Sequence, residues 1–329
     1  MTEFIAEIGG NHQGDEERIL CLTKDAISSG IKVLKYQIYT GESLVSKIYD
    51  PQRAEHFTSF TLSSSVYKQV IDLCDHADVE FMASIWSETL LNEFDPIIKR
   101  YKVGSGDLTN YPLIKVMAKK GKPIVLSTGL SSLSEVDSVI DFIRATNKIY
   151  FEPQFLTILQ CTSVYPCPLS EVNLSVIEEY KRRYDTLVGY SHHTIQYSPI
   201  YAAISMGVDM IEFHYTDRKH DNQFRDHLIS VDASEFQKIK AFYDETLILR
   251  GKPVKQVTKT ELSTGHCSSF RRSLYYKESH KKGHSLSEKD LECLRPAIGV
   301  SPNTVSEYIG RTFTCSIEKG DLLSKHHFE

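Results

Sequence analysis

Residues 123–163, PIVLSTGLSSLSEVDSVIDFIRATNKIYFEPQFLTILQCTS, contain the pattern that decides the fold. The segment begins and ends with short apolar runs, 123–129 and 156–163, rich in Val, Ile and Leu, as in strands buried on both faces. Between them, SSLSE at 131–135 is a capping signal before an apolar-periodic run that extends to Ile143, which predicts a helix. A strand, a helix and a second strand in this order predict a right-handed β-α-β unit with parallel strands.

The same alternation extends over the first 250 residues. Six further apolar runs predict strands, at residues 4–9, 32–39, 80–86, 101–105, 187–191 and 210–216. Further stretches with helical periodicity lie between the runs, at residues 15–29, 64–77, 172–183, 198–206 and 232–248. Eight strands alternating with helices in about 250 residues predict an α/β fold of the (β/α)8 TIM-barrel type. A doubly wound sheet is the alternative, but the G-x-G-x-x-G fingerprint is missing from the sequence.

The pattern changes after residue 250, so residues 1–250 are predicted to form the barrel. Residues 251–265 are polar, start with Gly and Pro, and predict a linker. Residues 266–329 hold short apolar pieces separated by Gly and Pro turns, which predict a small, irregular, β-rich domain. Because a domain of about 60 residues has a limited core, we expect it to lean on the barrel or on another subunit.

Composition places the 329-residue chain among ordinary globular proteins, with 41% hydrophobic and 25% charged residues, and excludes collagen-like, coiled-coil and disordered chains. No stretch approaches the roughly 18 apolar residues of a membrane span, and the N-terminus lacks a signal-peptide pattern. The net charge of −5 excludes a chain-wide basic surface for nucleic acid. The seven cysteines include no C-x-x-C pair, so we expect reduced thiols in a cytoplasmic protein.

Polar side chains follow nearly every predicted strand, where a TIM barrel places its chemistry. Of the 13 histidines in the chain, His193 and His214 end neighbouring strands, and two neutral imidazoles there can share a divalent metal. A pair of structural histidines is the alternative. Because His192 directly precedes His193, the two side chains should point in opposite directions, and only one can face the barrel mouth.

Lys35 lies in a buried strand, where its charge is costly without an anionic partner. The partner is either a bound phosphate or carboxylate or an ion pair with Glu7 or Asp107. Hydroxyl groups that suit such an anion follow the other strands, at Ser84, Ser105, Ser127, Thr128 and Ser191. A turn with a helix cap is the alternative for Ser127 and Thr128. Glu7 is also a candidate general base.

Seven motifs in series resemble the sialic acid synthase family. They are AEIGGNHQG at 6–14, KYQ at 35–37, YKVGSGDLTNYPLI at 101–114, PIVLSTGL at 123–130, LQCTSVYPCP at 159–168, GYSHHT at 189–194 and EFHYTDR at 212–218. The tail resembles the small antifreeze-like (β-clip) domain that this family carries after its barrel. Members condense phosphoenolpyruvate with an N-acyl hexosamine to give a nine-carbon 2-keto sugar acid.

The resemblance implies a role for each matching position. His193 and His214 would be the ligands of a divalent metal, Mn²⁺ or alternatively Mg²⁺ or Co²⁺, and Glu7 and Asp107 would be the catalytic carboxylates. Phosphoenolpyruvate would contact Lys35, Ser84, Ser105, Lys115, Ser127 and Ser191. The sugar would contact Asn11, Gln37, Tyr165, Asp226 and Arg295. Arg295 would enter the barrel of a neighbouring subunit, which makes the expected enzyme a homodimer with exchanged C-terminal domains.

Two departures from the family pattern concern the site. His192 stands where the family usually has Asp, and the third strand ends in ASIWS, where a Pro-Phe pair is common, so Trp86 is expected to alter the sugar pocket. The sugar itself stays open: N-acetylmannosamine, its 6-phosphate, or a 6-deoxy diacetamido hexose leading to pseudaminic or legionaminic acid. Two different functions also stay open: a metal-dependent aldolase that uses pyruvate, and a non-catalytic carbohydrate-binding protein.

Overall fold

The computed structural model describes residues 1–219 and 224–329, which divide into two compact units, Met1–Gly251 and Lys252–Glu329. In the first unit, eight parallel strands close into a barrel in the order of the chain. The strands are β1 Glu3–Glu7, β2 Val33–Ile38, β3 Glu80–Ile85, β4 Tyr101–Val103, β5 Ile124–Ser127, β6 Leu156–Cys161, β7 Leu187–His192 and β8 Met210–His214. The predicted TIM barrel is confirmed, and the closed ring excludes a doubly wound sheet.

Helices follow the strands and cover the outside of the barrel with one apolar face each. They are α1 Glu16–Ser28, α2 Gly41–Leu44, α3 Pro51–Ser59, α4 Ser64–His76, α5 Glu88–Phe94, α6 Tyr111–Lys120, α7 Leu133–Thr146, α8 Ser175–Arg183, α9 Ser198–Ser205, α10 Arg225–Ile229 and α11 Ala233–Arg250. The cap predicted for α7 forms: the Ser132 backbone N–H donates to the Glu135 carboxylate at 2.8 Å, and the Ser132 hydroxyl accepts from the Glu135 backbone N–H.

The barrel interior consists of side chains at every second strand position. An apolar layer is formed by Ile5, Val33, Met82, Val125, Leu159 and Met210, which make one buried cluster. Because alternate residues of a strand face the same side, the next interior layer lies two residues further along each strand. That layer is polar: Glu7, Lys35, Ser84, Ser127, Cys161, Ser191 and Glu212. The interior therefore changes from hydrocarbon to polar groups within one layer, toward the C-terminal ends of the strands.

The second unit is small and contains an antiparallel pair of strands, β9 Ser273–Tyr276 and β10 Leu291–Leu294. Further short pairings, such as that of His280 with Ile317, join its loops. Two short helices precede the strands, α12 Lys259–Ser263 and α13 His266–Ser269. The segment predicted as a linker, 251–265, therefore contains α12, which Thr258 caps by accepting from the Glu261 backbone N–H at 3.1 Å. Among residues 1–219 and 224–329, no helix is long and apolar enough to cross a membrane.

Candidate active site

A buried ion network occupies the polar layer of the barrel. Lys35 Nζ lies 2.6 Å from Glu7 Oε2 and 3.8 Å from Glu212 Oε2. Gln37 Nε2 donates to the other oxygen of Glu7, Oε1, at 2.6 Å. The ion pair between Lys35 and Glu7, which the sequence left as an alternative to anion binding, is thus present. Because an ammonium group has three N–H donors, this ion pair alone does not exclude a further anionic partner.

Lys102 is a second buried lysine in this layer, and sequence reasoning missed it. Its Nζ donates to Ser127 Oγ at 2.7 Å and lies 3.9 Å from Glu212 Oε2. Burial lowers the pKa of Lys102, and the carboxylate of Glu212 opposes that shift. The signal was available in the sequence: a lysine between Tyr101 and Val103 in a strand buried on both faces has to point into the barrel.

The pKa values of the two carboxylates in the network are shifted in opposite directions. Burial raises the pKa of Glu7, and the Lys35 ammonium only partly offsets this effect. Burial acts on Glu212 in the same direction, but Lys102 and Lys35 together lower the pKa of Glu212 below its ordinary value. Because the carboxylates of Glu212 and Glu7 outweigh the effect of burial on Lys35, the pKa of Lys35 is raised. The surroundings therefore favour the ionised form of Glu212 and disfavour that of Glu7.

Serine hydroxyls complete the ring around the lysines. Ser191 Oγ donates to Glu212 Oε1 at 3.2 Å, and Ser105 Oγ accepts from the Gly129 backbone N–H at 3.1 Å. Ser84 is buried in β3, in register with Gln37 of β2 and with Lys102 of β4. Together with Ser127, these hydroxyls stand where the sequence placed them.

Lys115, which the resemblance placed at the phosphate, lies outside this ring. It lies in α6, on the outside of the barrel, and its side chain is exposed. Helical periodicity turns Leu113, Ile114 and Met117 toward the barrel and leaves Lys115 on the opposite face. The second lysine of the site is Lys102, in the middle of the strand that precedes this helix.

His193 and His214 lie side by side at the ends of β7 and β8, with ring centroids 5.4 Å apart. Tyr165 packs against both rings, at 4.3 Å from that of His193 and 5.8 Å from that of His214. The Nδ1 atom of His193 lies 3.0 Å from the Thr162 carbonyl oxygen, and the Nδ1 atom of His214 lies 3.7 Å from Asp226 Oδ2. The contact at His193 Nδ1 can leave Nε2 of that ring with the lone pair that a metal needs.

The donor set of this pair fits a divalent cation. Burial lowers the pKa of His214 to about 4, so the ring is neutral near pH 7, as metal ligation requires. Within the part of the chain that the structure describes, His214 Nδ1 is buried without a hydrogen bond. Two imidazoles leave several coordination positions for water and substrate oxygens, which suits Mn²⁺ or a similar ion. Asp226, predicted to contact the sugar, lies instead directly behind one of the proposed ligands.

His192 points away from this pair, as the alternation along β7 predicts. Its ring packs against Tyr190 and Tyr197, with centroids 5.9 and 6.2 Å away. Burial lowers the pKa of His192 to about 3. The residue that replaces the usual Asp is therefore a neutral packing group behind the strand.

Asp107 follows β4 and is half-buried beside the indole of Trp86. The Trp86 Nε1–H donates to Asp107 Oδ2, and Asn110 Nδ2 donates to Oδ1 at 3.4 Å. Burial raises the pKa of Asp107 in spite of these two donors. Trp86 also packs against Tyr39, with ring centroids 5.3 Å apart, so an aromatic wall stands next to this carboxylate.

The other residues predicted to contact the sugar differ in how many of their polar atoms are already engaged within the protein. Asn11 is buried, and its amide group donates to the Tyr215 carbonyl at 2.7 Å and to Ser230 Oγ at 3.0 Å, so only its Oδ1 could accept from a substrate hydroxyl. Gln37 is engaged with Glu7. Arg295 lies in the second unit, is exposed, and stacks on Phe270 at 5.2 Å.

The fold and this site define a class of protein: a TIM-barrel enzyme with two buried lysines, a carboxylate pair and two histidines at its C-terminal mouth. Residues 22–255 match the NeuB family, and residues 271–329 match the SAF domain, the antifreeze-like domain. The chain therefore belongs to the NeuB family of nonulosonate synthases, as its motifs predicted.

Known proteins resemble the chain over its whole length. It is 30% identical to the N,N'-diacetyllegionaminic acid synthase of Legionella pneumophila, over 100% of this chain and 95% of that protein. It is 27% identical to the human N-acetylneuraminate-9-phosphate synthase, over 97% and 90% of the two chains. The solved structure of spore coat polysaccharide biosynthesis protein E from Chromobacterium violaceum covers 100% of both chains with a TM-score of 0.83 at 20% identity, which shows the shared fold.

Proposed function

We propose that the enzyme condenses phosphoenolpyruvate with an N-acyl hexosamine to give a nine-carbon 2-keto sugar acid and phosphate. The observation that carries this proposal is the polar layer of the barrel, where Lys35 and Lys102 flank Glu212 beside four serines. Two buried ammonium groups beside small hydroxyl donors can hold a strongly anionic ligand, which would share them with the carboxylates of Glu7 and Glu212. A pyruvate aldolase has no need of a phosphate pocket.

In the proposed reaction, C3 of phosphoenolpyruvate forms a C–C bond to the aldehyde carbon of the open-chain sugar, and the aldehyde oxygen takes up a proton to become a hydroxyl. Water adds to C2 and gives up one proton. The bond between C2 and the bridging oxygen then breaks, phosphate leaves, and the new C2 hydroxyl loses its proton to become the keto group. Lys35, Lys102 and the serines hold the phosphate and carboxylate groups. A divalent cation on His193 and His214 would supply Lewis-acid polarisation of the aldehyde oxygen.

Glu7 and Asp107 are the groups that move protons in this proposal. Burial raises the pKa of each above its ordinary value, in the direction that suits a general acid or base. Glu7 is oriented by Lys35 and Gln37, and would take the proton of the water that adds to C2. Asp107 is oriented by Trp86 and would exchange a proton with a hydroxyl group of the sugar.

For the sugar, we propose a 6-deoxy diacetamido hexose of the legionaminic type, with N-acetylmannosamine as the alternative. The wall formed by Trp86 and Tyr39 favours methyl and acetamido groups over a phosphate at C6. The diacetyllegionaminic relative, similar along its entire length, supports the same choice. The C-terminal domain would act in a homodimer, where the exposed Arg295 enters the barrel of the partner subunit.

The test is phosphate release from phosphoenolpyruvate with Mn²⁺ across three sugars: the diacetamido trideoxyhexose, N-acetylmannosamine and its 6-phosphate. We expect release with the first and no turnover of pyruvate. His214→Ala should abolish release, whereas His76→Ala, an exposed histidine at the end of α4, should leave it unchanged. Formation of a 2-keto sugar acid from pyruvate, or sugar binding without phosphate release for every sugar, would contradict the proposed reaction.

The shared site has its own test, by mixing two variants that are inactive alone. Arg295→Ala and His214→Ala subunits, unfolded and refolded together, should regain part of the activity, because a mixed dimer has one intact site. Arg311→Ala is the matched control, since Arg311 is exposed in the same unit and stacks on Tyr308. If Arg295→Ala is as active as that control, the proposed role of Arg295 fails.

A further inference from the structure

The second unit has little apolar core for its size. Seven buried side chains form its cluster: Leu274, Tyr276, Leu286, Leu291, Phe313, Ile317 and Leu323. Its three cysteines, Cys267, Cys293 and Cys315, are free thiols in the structure. Small domains with so few buried residues usually rely on disulfides, a metal ion or association for stability.

Three potential metal ligands meet at one edge of this core. His280, His284 and Asp290 each offer one ligand atom, and these atoms lie within 4.8 Å of one another. We propose that they form a zinc-binding site, separate from the histidine pair of the barrel. The zinc would tie the turn at 281–283 to the short helical turn Glu288–Asp290 and so stabilise the small domain.

The distances from the two histidines to Asp290 lie on either side of the spacing in a tetrahedral zinc site. His284 Nε2 lies 3.0 Å from Asp290 Oδ2, and His280 Nε2 lies 3.8 Å from Asp290 Oδ1. Ligand atoms about 2.0–2.1 Å from a tetrahedral zinc ion are about 3.3 Å apart, which is between the two distances to Asp290. Two imidazoles and one carboxylate suit zinc and leave the fourth position for water.

The side chain of His280 is the strongest sign of a missing partner. It is 12% exposed, and within the described residues its Nε2 is buried without a hydrogen bond. A buried polar atom in that state is unfavourable unless a partner satisfies it. The ring stacks on that of His284, with centroids 4.3 Å apart, so both Nε2 atoms reach the same carboxylate.

The backbone and neighbouring groups hold the three ligands in place. His280 and Ile317 exchange two backbone hydrogen bonds, of 2.9 and 2.8 Å. The Ser287 backbone N–H and hydroxyl donate to Asp290 Oδ2 at 2.8 and 2.9 Å, which orients the carboxylate. Such supporting contacts are typical of metal sites, where they fix the direction of each ligand.

The test is Zn²⁺ titration of the chelator-stripped full chain against a competing chromophoric chelator, followed by Co²⁺ absorption spectra. All variants carry His214→Ala, which removes the proposed barrel site, so failure of the barrel proposal does not affect the outcome. We expect this background to bind one equivalent of Zn²⁺, with the intense visible bands of tetrahedral Co²⁺. Adding His284→Ala should abolish binding, and adding Asp290→Asn should weaken it by at least about tenfold.

Two controls keep the result interpretable. His326→Ala, an exposed histidine of the same unit, should bind as the background does, and His284→Cys should keep the Zn²⁺ site because cysteine is also a zinc ligand. Thermal melts in chelator check that each variant is folded before metal is added. If the His214→Ala protein binds no Zn²⁺, or if adding His284→Ala leaves one equivalent of Zn²⁺ bound, the proposal is overturned.

Discussion

Lys102→Met is the variant that tests the site most directly. Methionine has a similar length but no charge, so the substitution removes the 2.7 Å donation to Ser127 and one of the two ammonium groups near Glu212. The fold should survive, because Lys35 still faces Glu212 at 3.8 Å and the methionine fills the space of the lysine side chain.

The expected catalytic loss follows from the lost anion contact. A hydrogen bond to a charged group contributes about 1.5–3 kcal/mol. At about 1.36 kcal/mol per decade, kcat/KM for phosphoenolpyruvate should fall roughly 10- to 150-fold. Most of this should appear in KM for phosphoenolpyruvate, while KM for the sugar changes little.

Lys115→Met is the matched control, because Lys115 is an exposed lysine on α6. Steady-state phosphate release at varied phosphoenolpyruvate, with circular dichroism to confirm folding, measures both variants. If folded Lys102→Met keeps kcat/KM within about twofold of the parent enzyme, well short of the loss expected for a charged contact, Lys102 does not hold the anion. An equal loss in both variants would point to a general effect of charge.

Three further predictions concern packing, the aspartate and pH. Gly189→Ala should destabilise the barrel by about 1–3 kcal/mol in urea unfolding, because its Cβ would lie 2.4 Å from atoms of both β6 and β8, whereas Gly106→Ala meets nothing within 4 Å and should be neutral. Trp86→Phe removes a donor to Asp107, so the pKa of Asp107 should rise further, the acidic limb of the pH profile of kcat/KM should move upward, and kcat should fall about two- to tenfold. Burial lowers the pKa of His12 from 6.5 to about 4, so between these values the unfolded chain binds a proton that the folded chain does not. The free energy of unfolding should therefore fall as the pH drops from 6.5 toward 4, and His12→Asn should reduce that slope by up to about 1.4 kcal/mol per pH unit.

The barrel could be predicted from the sequence because its two periodicities are strong. The run at 156–163 and the observed strand Leu156–Cys161 start at the same residue, and the cap predicted before α7 forms at Ser132. Strands buried on both faces are typical of parallel sheets that are covered by helices. The small unit was predicted less well, since its short pieces have no period long enough to distinguish α12 from a linker.

The site was predictable where a residue type and its position agreed. Lys35 and the histidines stand out because polar groups in buried strands are costly. Lys102 is different, because its inward direction follows from the alternation within β4, whereas the predicted site residues of this strand lie after its end. The position of Asp226 behind His214 depends on how α10 packs, which no local pattern specifies.

The alternation of apolar and polar layers also bears on how such an enzyme can evolve. A side chain reaches the catalytic layer only if it stands an even number of residues from the apolar layer of its strand, as Glu7 does from Ile5. Loops can therefore gain or lose residues without moving the groups of the polar layer, such as Glu7 and Lys35. A one-residue deletion inside β1 would instead turn Glu7 outward, toward the helices. We therefore expect the range of substrates to change through substitutions and insertions in the loops. The strands should keep the same alternation of inward and outward residues, and with it the same reaction.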